Sequence, residues 1–101
     1  MMHVISKKPL ETFWLKHPAA RVPLEAWYRL VGLSTFEDFL EIKKTFNTAD
    51  YVPPFVVFDI AGNNFRVVGS VHFNRQKLYI RGVFTHAEYD RWSKSYRSKK
   101  S

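Results

Sequence analysis

The spacing of apolar residues changes at Pro53-Pro54, and this change limits the fold more than any other feature of the chain. Before it, Leu10, Phe13, Trp14 and His17 recur at i, i+3, i+4 and i+7, which predicts a helix with one buried face that Pro18 ends. Leu24, Trp27, Tyr28 and Val31 repeat the pattern behind Pro23, with Gly32 placed to stop a second helix. Thr35 and Asp38 resemble a capping box for a third, with Phe36, Phe39, Leu40 and Lys43 on one face towards Phe46. After the prolines, β-branched and aromatic residues alternate from Phe55 to Phe84, broken by Gly62-Asn63 and Asn74-Arg75-Gln76, which predicts a three-stranded meander. Thr85 with Glu88 three residues on predicts the capped start of a last helix from His86 to about Tyr96. His3 to Ile5 reads as a short extended start. Neither half can bury a core alone, so residues 1–101 form one α+β domain, with N-terminal helices packed on an antiparallel β-meander and a short C-terminal helix.

Strand register follows from the turns. With glycine at the positive-φ position of Gly62-Asn63, Ile60 lies opposite Phe65, Phe58 opposite Val67 and Asp59 opposite Arg66. If Arg75-Gln76 closes the second hairpin, Phe73 lies opposite Leu78, Val71 opposite Ile80 and Ser70 opposite Arg81. One sheet face then collects Val56, Phe58, Ile60, Phe65, Val67, Val71, Phe73, Leu78, Ile80 and Phe84, a wall for the helices to cover. The other collects Asp59, Arg66, Ser70, His72, Lys77, Tyr79 and Arg81 and is expected to lie open. Gly69 and Gly82, where bulkier strand residues are usual, are expected to bend the sheet.

Charge is concentrated in the strand half. The formal net charge is +7; residues 1 to 50 hold seven Lys/Arg against six Asp/Glu, and residues 51 to 101 hold nine against three. Such an excess attracts polyanions by Coulomb steering and counterion release. The chain has no cysteine, which excludes a disulfide scaffold and a thiolate zinc site. No apolar run is long enough for a signal peptide or a membrane span, so a cytoplasmic protein is expected.

The expected open face suits attack on a phosphodiester by its own 2′-hydroxyl. That reaction needs a proton acceptor, a proton donor for the leaving 5′-oxygen, and cations for the charged phosphorane. His86 and Tyr89 supply the proton transfers in this scheme, and Arg66, Arg81 and Lys77 hold the non-bridging oxygens, with Arg66 beside Thr85 at the start of the last helix. Tyr79, Arg75, Arg91 and Lys94 extend an RNA-binding surface, and Lys99 and Lys100 continue a basic tail. No cofactor or metal enters. The sparse carboxylates Asp59, Glu88 and Asp90 do not suit a two-metal nuclease. Arg66 also faces Asp59 and is expected to pair with it.

The run FDIAGNNFRVVGSVHFNRQKLYIRGVFTHAEYDRW, residues 58 to 92, resembles the HigB family of type II toxins, relatives of the RelE group. The similarity lies in Gly62-Asn63 followed by Arg66, in Tyr79-Ile80-Arg81, and above all in Thr85-His86-Ala87-Glu88-Tyr89-Asp90 directly after the last strand. It implies a RelE-like microbial ribonuclease fold and ribosome-dependent, metal-independent cleavage of mRNA that inhibits translation. It also implies neutralisation by a cognate helix-turn-helix antitoxin, with operator DNA reached only through that antitoxin. Carried onto this chain, it supports Arg66, Arg81, His86 and Tyr89 as active-site residues, with Lys77 beside them. A non-catalytic RNA- or ribosome-binding module using the same cationic surface is the alternative.

Overall fold

In a computed structural model, which describes residues 1–100 and the side chains of residues 1–98, the chain forms four helices and one five-stranded sheet. The order is β1 (His3–Ile5), α1 (Lys8–Lys16), a 3-10 turn (Pro18–Ala20), α2 (Arg21–Leu33), α3 (Phe39–Thr45) and β2 (Asp50–Val52). It continues with β3 (Phe55–Ile60), β4 (Phe65–His72), β5 (Lys77–Thr85) and α4 (His86–Lys100). The side chains of Lys99 and Lys100 in the basic tail lie outside the described residues.

The sheet is larger than the expected meander. Its strand order is β1-β5-β4-β3-β2, with the short N-terminal strand added parallel to β5 and β2 closing the other edge. Helices α1 to α3 cover one face, as the periodicity predicts: Leu10, Phe13, Leu24, Trp27 and Val31 pack with Phe58, Val67 and Leu78 in the main core. Two details of the helices differ. The α2 helix runs through Gly32 and ends at Ser34, whose hydroxyl donates to the Leu30 carbonyl at 2.7 Å. Asp38, not Thr35, caps α3, accepting from the Glu41 amide at 3.0 Å. That later start buries Ile42 and leaves Leu40 70% exposed, while Phe36 enters the core ahead of the helix.

The first hairpin has the predicted register, with Ile60 opposite Phe65 and Asp59 opposite Arg66. The second does not. Its turn is a single 3-10 turn over Phe73–Arg75, and Gln76 follows in the left-handed region at φ 53°. The Gln76 amide holds this conformation by donating to the carbonyls of Phe36 (2.7 Å) and Phe73 (2.8 Å) and accepting from the Phe36 amide. His72 therefore faces Lys77, Val71 faces Leu78 and Ser70 faces Tyr79. This is a two-residue shift, so the faces are kept.

A bulge then changes them. Gly69 pairs with Ile80 and Val68 with Gly82, so Arg81 is the extra residue, and beyond it Arg66 faces Phe84 instead of Thr85. Phe84 leaves the helix-covered wall and joins Val52, Val57, Val68 and Phe55 on the opposite face. There Tyr89, Trp92 and Tyr96 of α4 pack over them as a second apolar cluster. The supposedly open cationic face is thus largely closed, because an apolar strip on that side needs a cover and α4 supplies it.

Glycines flank the bulge on both strands, each packed close to a side chain. A Cβ on Gly82 would lie 2.5 Å from Cζ of Phe84, and one on Gly69 would lie 3.0 Å from the Leu78 side chain. Gly82→Ala should therefore cost about 1–3 kcal/mol in urea unfolding, the usual range for overpacking. Wild-type stability would mean that the Phe84 ring can turn aside freely.

Candidate active site and family membership

Three pieces of chain meet where α4 begins. The Ala61–Asn64 turn, with positive φ at Ala61 and Gly62, brings the Asn64 carbonyl to the His86 amide at 3.0 Å. Thr85 and Glu88 form the predicted capping box: the Glu88 amide donates to Thr85 Oγ1 at 3.2 Å, and Glu88 Oε1 accepts from the Thr85 amide at 2.9 Å. These bonds fix the first turn of α4, and with it His86 and Tyr89, against the end of the β3–β4 hairpin.

Arg66 lies at the centre of this junction and is 7% exposed, the one buried charged residue among the described residues. Its Nε pairs with Asp59 Oδ1 at 3.0 Å, across the hairpin as the register predicts. Nη1 donates to the carbonyls of Asn63 and Phe65, both at 3.1 Å. Nη2 donates to Asn63 Oδ1 and lies 3.3 Å from His86 Nδ1. The Tyr89 ring covers the guanidinium at 5.5 Å. A buried cation so completely partnered is a fixed part of the structure, because each lost bond would leave a desolvated donor. On its other side His86 meets Asp90 Oδ2 at 3.3 Å through Nε2. Burial, helped by the Asp50 charge, pushes the Tyr89 phenol above its usual pKa against the lowering by a Ser93 hydrogen bond and by Arg97 and Arg66. The phenol therefore keeps its proton at neutral pH.

Arg81 belongs to a separate group on the uncovered part of the same face. From the bulge its Nε donates to Ser70 Oγ at 3.1 Å, and its guanidinium lies 5.4 Å from the centre of the Tyr79 ring. His72 meets that ring edge-on at 5.2 Å. Phe84, opposite Arg66, is three residues along β5 from Arg81, a separation of about 10 Å at the usual strand rise. Lys77, half-buried, faces His72; Arg75 is exposed in the hairpin turn, and Arg91 and Lys94 are exposed on α4. The structure thus brings Arg66, His86 and Tyr89 together but does not gather Arg66, Arg81 and Lys77 around one phosphate as expected: Arg66 is enclosed by its partners, while exposed Arg81 and half-buried Tyr79 and Lys77 form a separate aromatic and cationic strip farther along β5.

Asn63 and Asp90 complete the junction, though sequence reasoning did not select them as site residues. Asn63 was legible as a turn residue and as part of the Gly62-Asn63 motif ahead of Arg66, with no role of its own. Asp90, four residues after His86, carried the i, i+4 spacing that pairs side chains on a helix. Among the described residues, no group of three or more His, Cys, Asp or Glu is placed to hold a metal ion, and no helix is long and apolar enough to cross a membrane.

Comparison with known proteins agrees with this architecture. The mRNA interferase HigB of Escherichia coli O6:H1 strain CFT073 is 32% identical over 102 residues, covering 98% of this chain and 99% of that protein. The mRNA interferase toxin HigB of Escherichia coli strain K12 is 36% identical over 101 residues, covering 97% of each. The mRNA interferase HigB of Shigella flexneri matches to the same extent. Similarity therefore extends well beyond residues 58 to 92, into the helical half. The family model for HigB toxins matches residues 20–92, and the chain belongs to that family, the RelE-like toxic component of a toxin-antitoxin system.

Proposed function

We propose that the protein is an endoribonuclease that cuts mRNA in the ribosomal decoding site and so arrests translation in the cytoplasm, held in check by a cognate helix-turn-helix antitoxin. Operator DNA is reached only through that antitoxin. The observation that carries this reading is the convergence of His86 and Tyr89 on the buried Arg66 guanidinium, on the same sheet face as the aromatic and cationic strip of Arg81, Tyr79 and Lys77. The relatives named as mRNA interferases support it.

In this reading the 2′-hydroxyl attacks the adjacent phosphorus, the bond to the 5′-oxygen breaks, and a 2′,3′-cyclic phosphate remains. The proton transfers take place at the junction that His86 and Tyr89 form, with protonated Tyr89 suited to the leaving oxygen. Arg81 and Lys77, farther along β5, meet neighbouring phosphates of the RNA, and Tyr79 offers a ring on which a base can stack. Arg66 contributes positive potential and holds the two proton-transfer residues. Arg75, Arg91 and Lys94 line the approach of the RNA. The scheme needs no metal, since side chains supply both the proton transfers and the charge stabilisation.

Expression without the antitoxin should stop growth, and RNA ends mapped in translating extracts should show new cuts that are absent from ribosome-free mixtures. His86→Ala and Tyr89→Ala should each slow cutting by about 10²–10⁴-fold, the usual contribution of a positioned acid or base. Undiminished cutting by both variants would move the active site elsewhere. Salt-sensitive RNA binding with no broken strands would favour a non-catalytic binding module.

A further inference from the structure

The hydrogen bonds around His86 restrict what that residue can do. Arginine has donors only, so the 3.3 Å approach of Arg66 Nη2 makes His86 Nδ1 an acceptor. Arg66 itself is held from Asp59 and Asn63, so it does not swing away to release the ring. The neutral ring then carries its proton on Nε2 and donates it to Asp90 Oδ2 at 3.3 Å. Tied at both nitrogens, His86 has no lone pair left with which to take a proton from substrate. Asp90 does: its side chain is 56% exposed, and one bond from His86 leaves carboxylate lone pairs facing solvent.

We propose that Asp90 is the proton acceptor of the site and that His86 is the residue that aims it, in a relay running from buried Arg66 through His86 to exposed Asp90. This assignment rests on the reading of the chain as a ribonuclease and specifies the base within it. In the step, the O2′–H bond breaks and its proton passes to a carboxylate oxygen of Asp90. The electron pair of O2′ forms the new bond to phosphorus, the P–O5′ bond breaks, and O5′ leaves with a proton from Tyr89. Asp90 ends protonated and Tyr89 ionised, and exchange with water restores both. His86 keeps its proton throughout.

The test compares Asp90→Asn with His86→Gln in translating extracts and adds nitrogen-15 imidazole NMR of the free wild-type protein. Asparagine keeps the shape of Asp90 and an oxygen for the His86 N–H but does not accept a proton at neutral pH. Glutamine at position 86 keeps an N–H donor but loses the ring. Asp90→Asn should lower cleavage by about 10²-fold or more, His86→Gln should retain more activity than Asp90→Asn, and the His86 ring should be the neutral Nε2–H tautomer. Near wild-type cleavage by Asp90→Asn together with a dead His86→Gln would overturn the proposal and make His86 the base. So would a His86 ring protonated on Nδ1. Wild-type cleavage by both variants would overturn the proposal and the active-site reading together. A wild-type protein that cuts no RNA would remove the nuclease reading on which both depend.

Discussion

Arg66→Ala should lower stability by about 3 kcal/mol, the lower end of the range for breaking a buried ion pair. Thermal unfolding should then begin roughly 10–20 °C lower for a domain of this size. The cost is set by what the guanidinium leaves behind. Asp59 loses its partner while only 25% exposed, and Asn63, whose carbonyl and side-chain oxygen both accept from Arg66, loses the group that shapes the turn. Because Asp59 keeps some access to water, the loss should stay below the upper end of that range. The double variant Arg66→Ala/Asp59→Ala should be more stable than Arg66→Ala alone, since removing both charges removes the uncompensated one. Cleavage should fall beyond what lost stability explains, as His86 and Tyr89 are both held by the same group. An Arg66→Ala protein that melts with the wild type would mean that the network contributes nothing net to folding.

Trp92→Ala should have a comparable effect on stability, about 3 kcal/mol, with a different signature. The indole stacks on Phe84, Tyr89 and Tyr96 and meets Phe55 edge-on, so it joins α4 to β3 and β5 at once. Truncating a buried tryptophan costs about 3–5 kcal/mol, and partial exposure here places the effect at the low end. The α4 helix carries serine, lysine and arginine over most of its surface, and beyond its first turn this aromatic strip packs it on the sheet. Hydrogen exchange should show α4 losing protection while β3, β4 and β5 keep theirs, because the main core lies on the other face. Cleavage should drop steeply, since His86, Tyr89 and Asp90 all ride on that helix. Uniform loss of protection across sheet and helix would show instead that the two clusters fold as one unit.

The two variants separate what was legible in advance from what was not. Asp59 opposite Arg66 follows from one local turn: Gly62 at φ 68° sets the register of residues on either side within a few positions. The capping box of Thr85 and Glu88 is local in the same way. The second hairpin defeated local reasoning because its turn is held from a distance. Gln76 adopts its left-handed backbone while its amide bonds Phe36, forty residues earlier, and the bulge at Arg81 falls where Gly69 and Gly82 lie on neighbouring strands. Both glycines were visible as points of bending, but not the residue the bend would displace. One inserted residue reverses the faces beyond it, so Phe84 and the surroundings of Arg66 were misplaced together.

By itself the sequence determined the α+β class, the buried faces of the first two helices, the first hairpin, the start of α4 and the concentration of positive charge in the second half, because each depends on neighbours a few residues apart. Only the tertiary structure decided that β1 adds parallel to β5, that α4 covers the second face, and that Arg66 is enclosed rather than offered to solvent. These outcomes turn on which distant surfaces exclude water from each other. The energy of that exclusion belongs to the assembled contact and to neither segment alone.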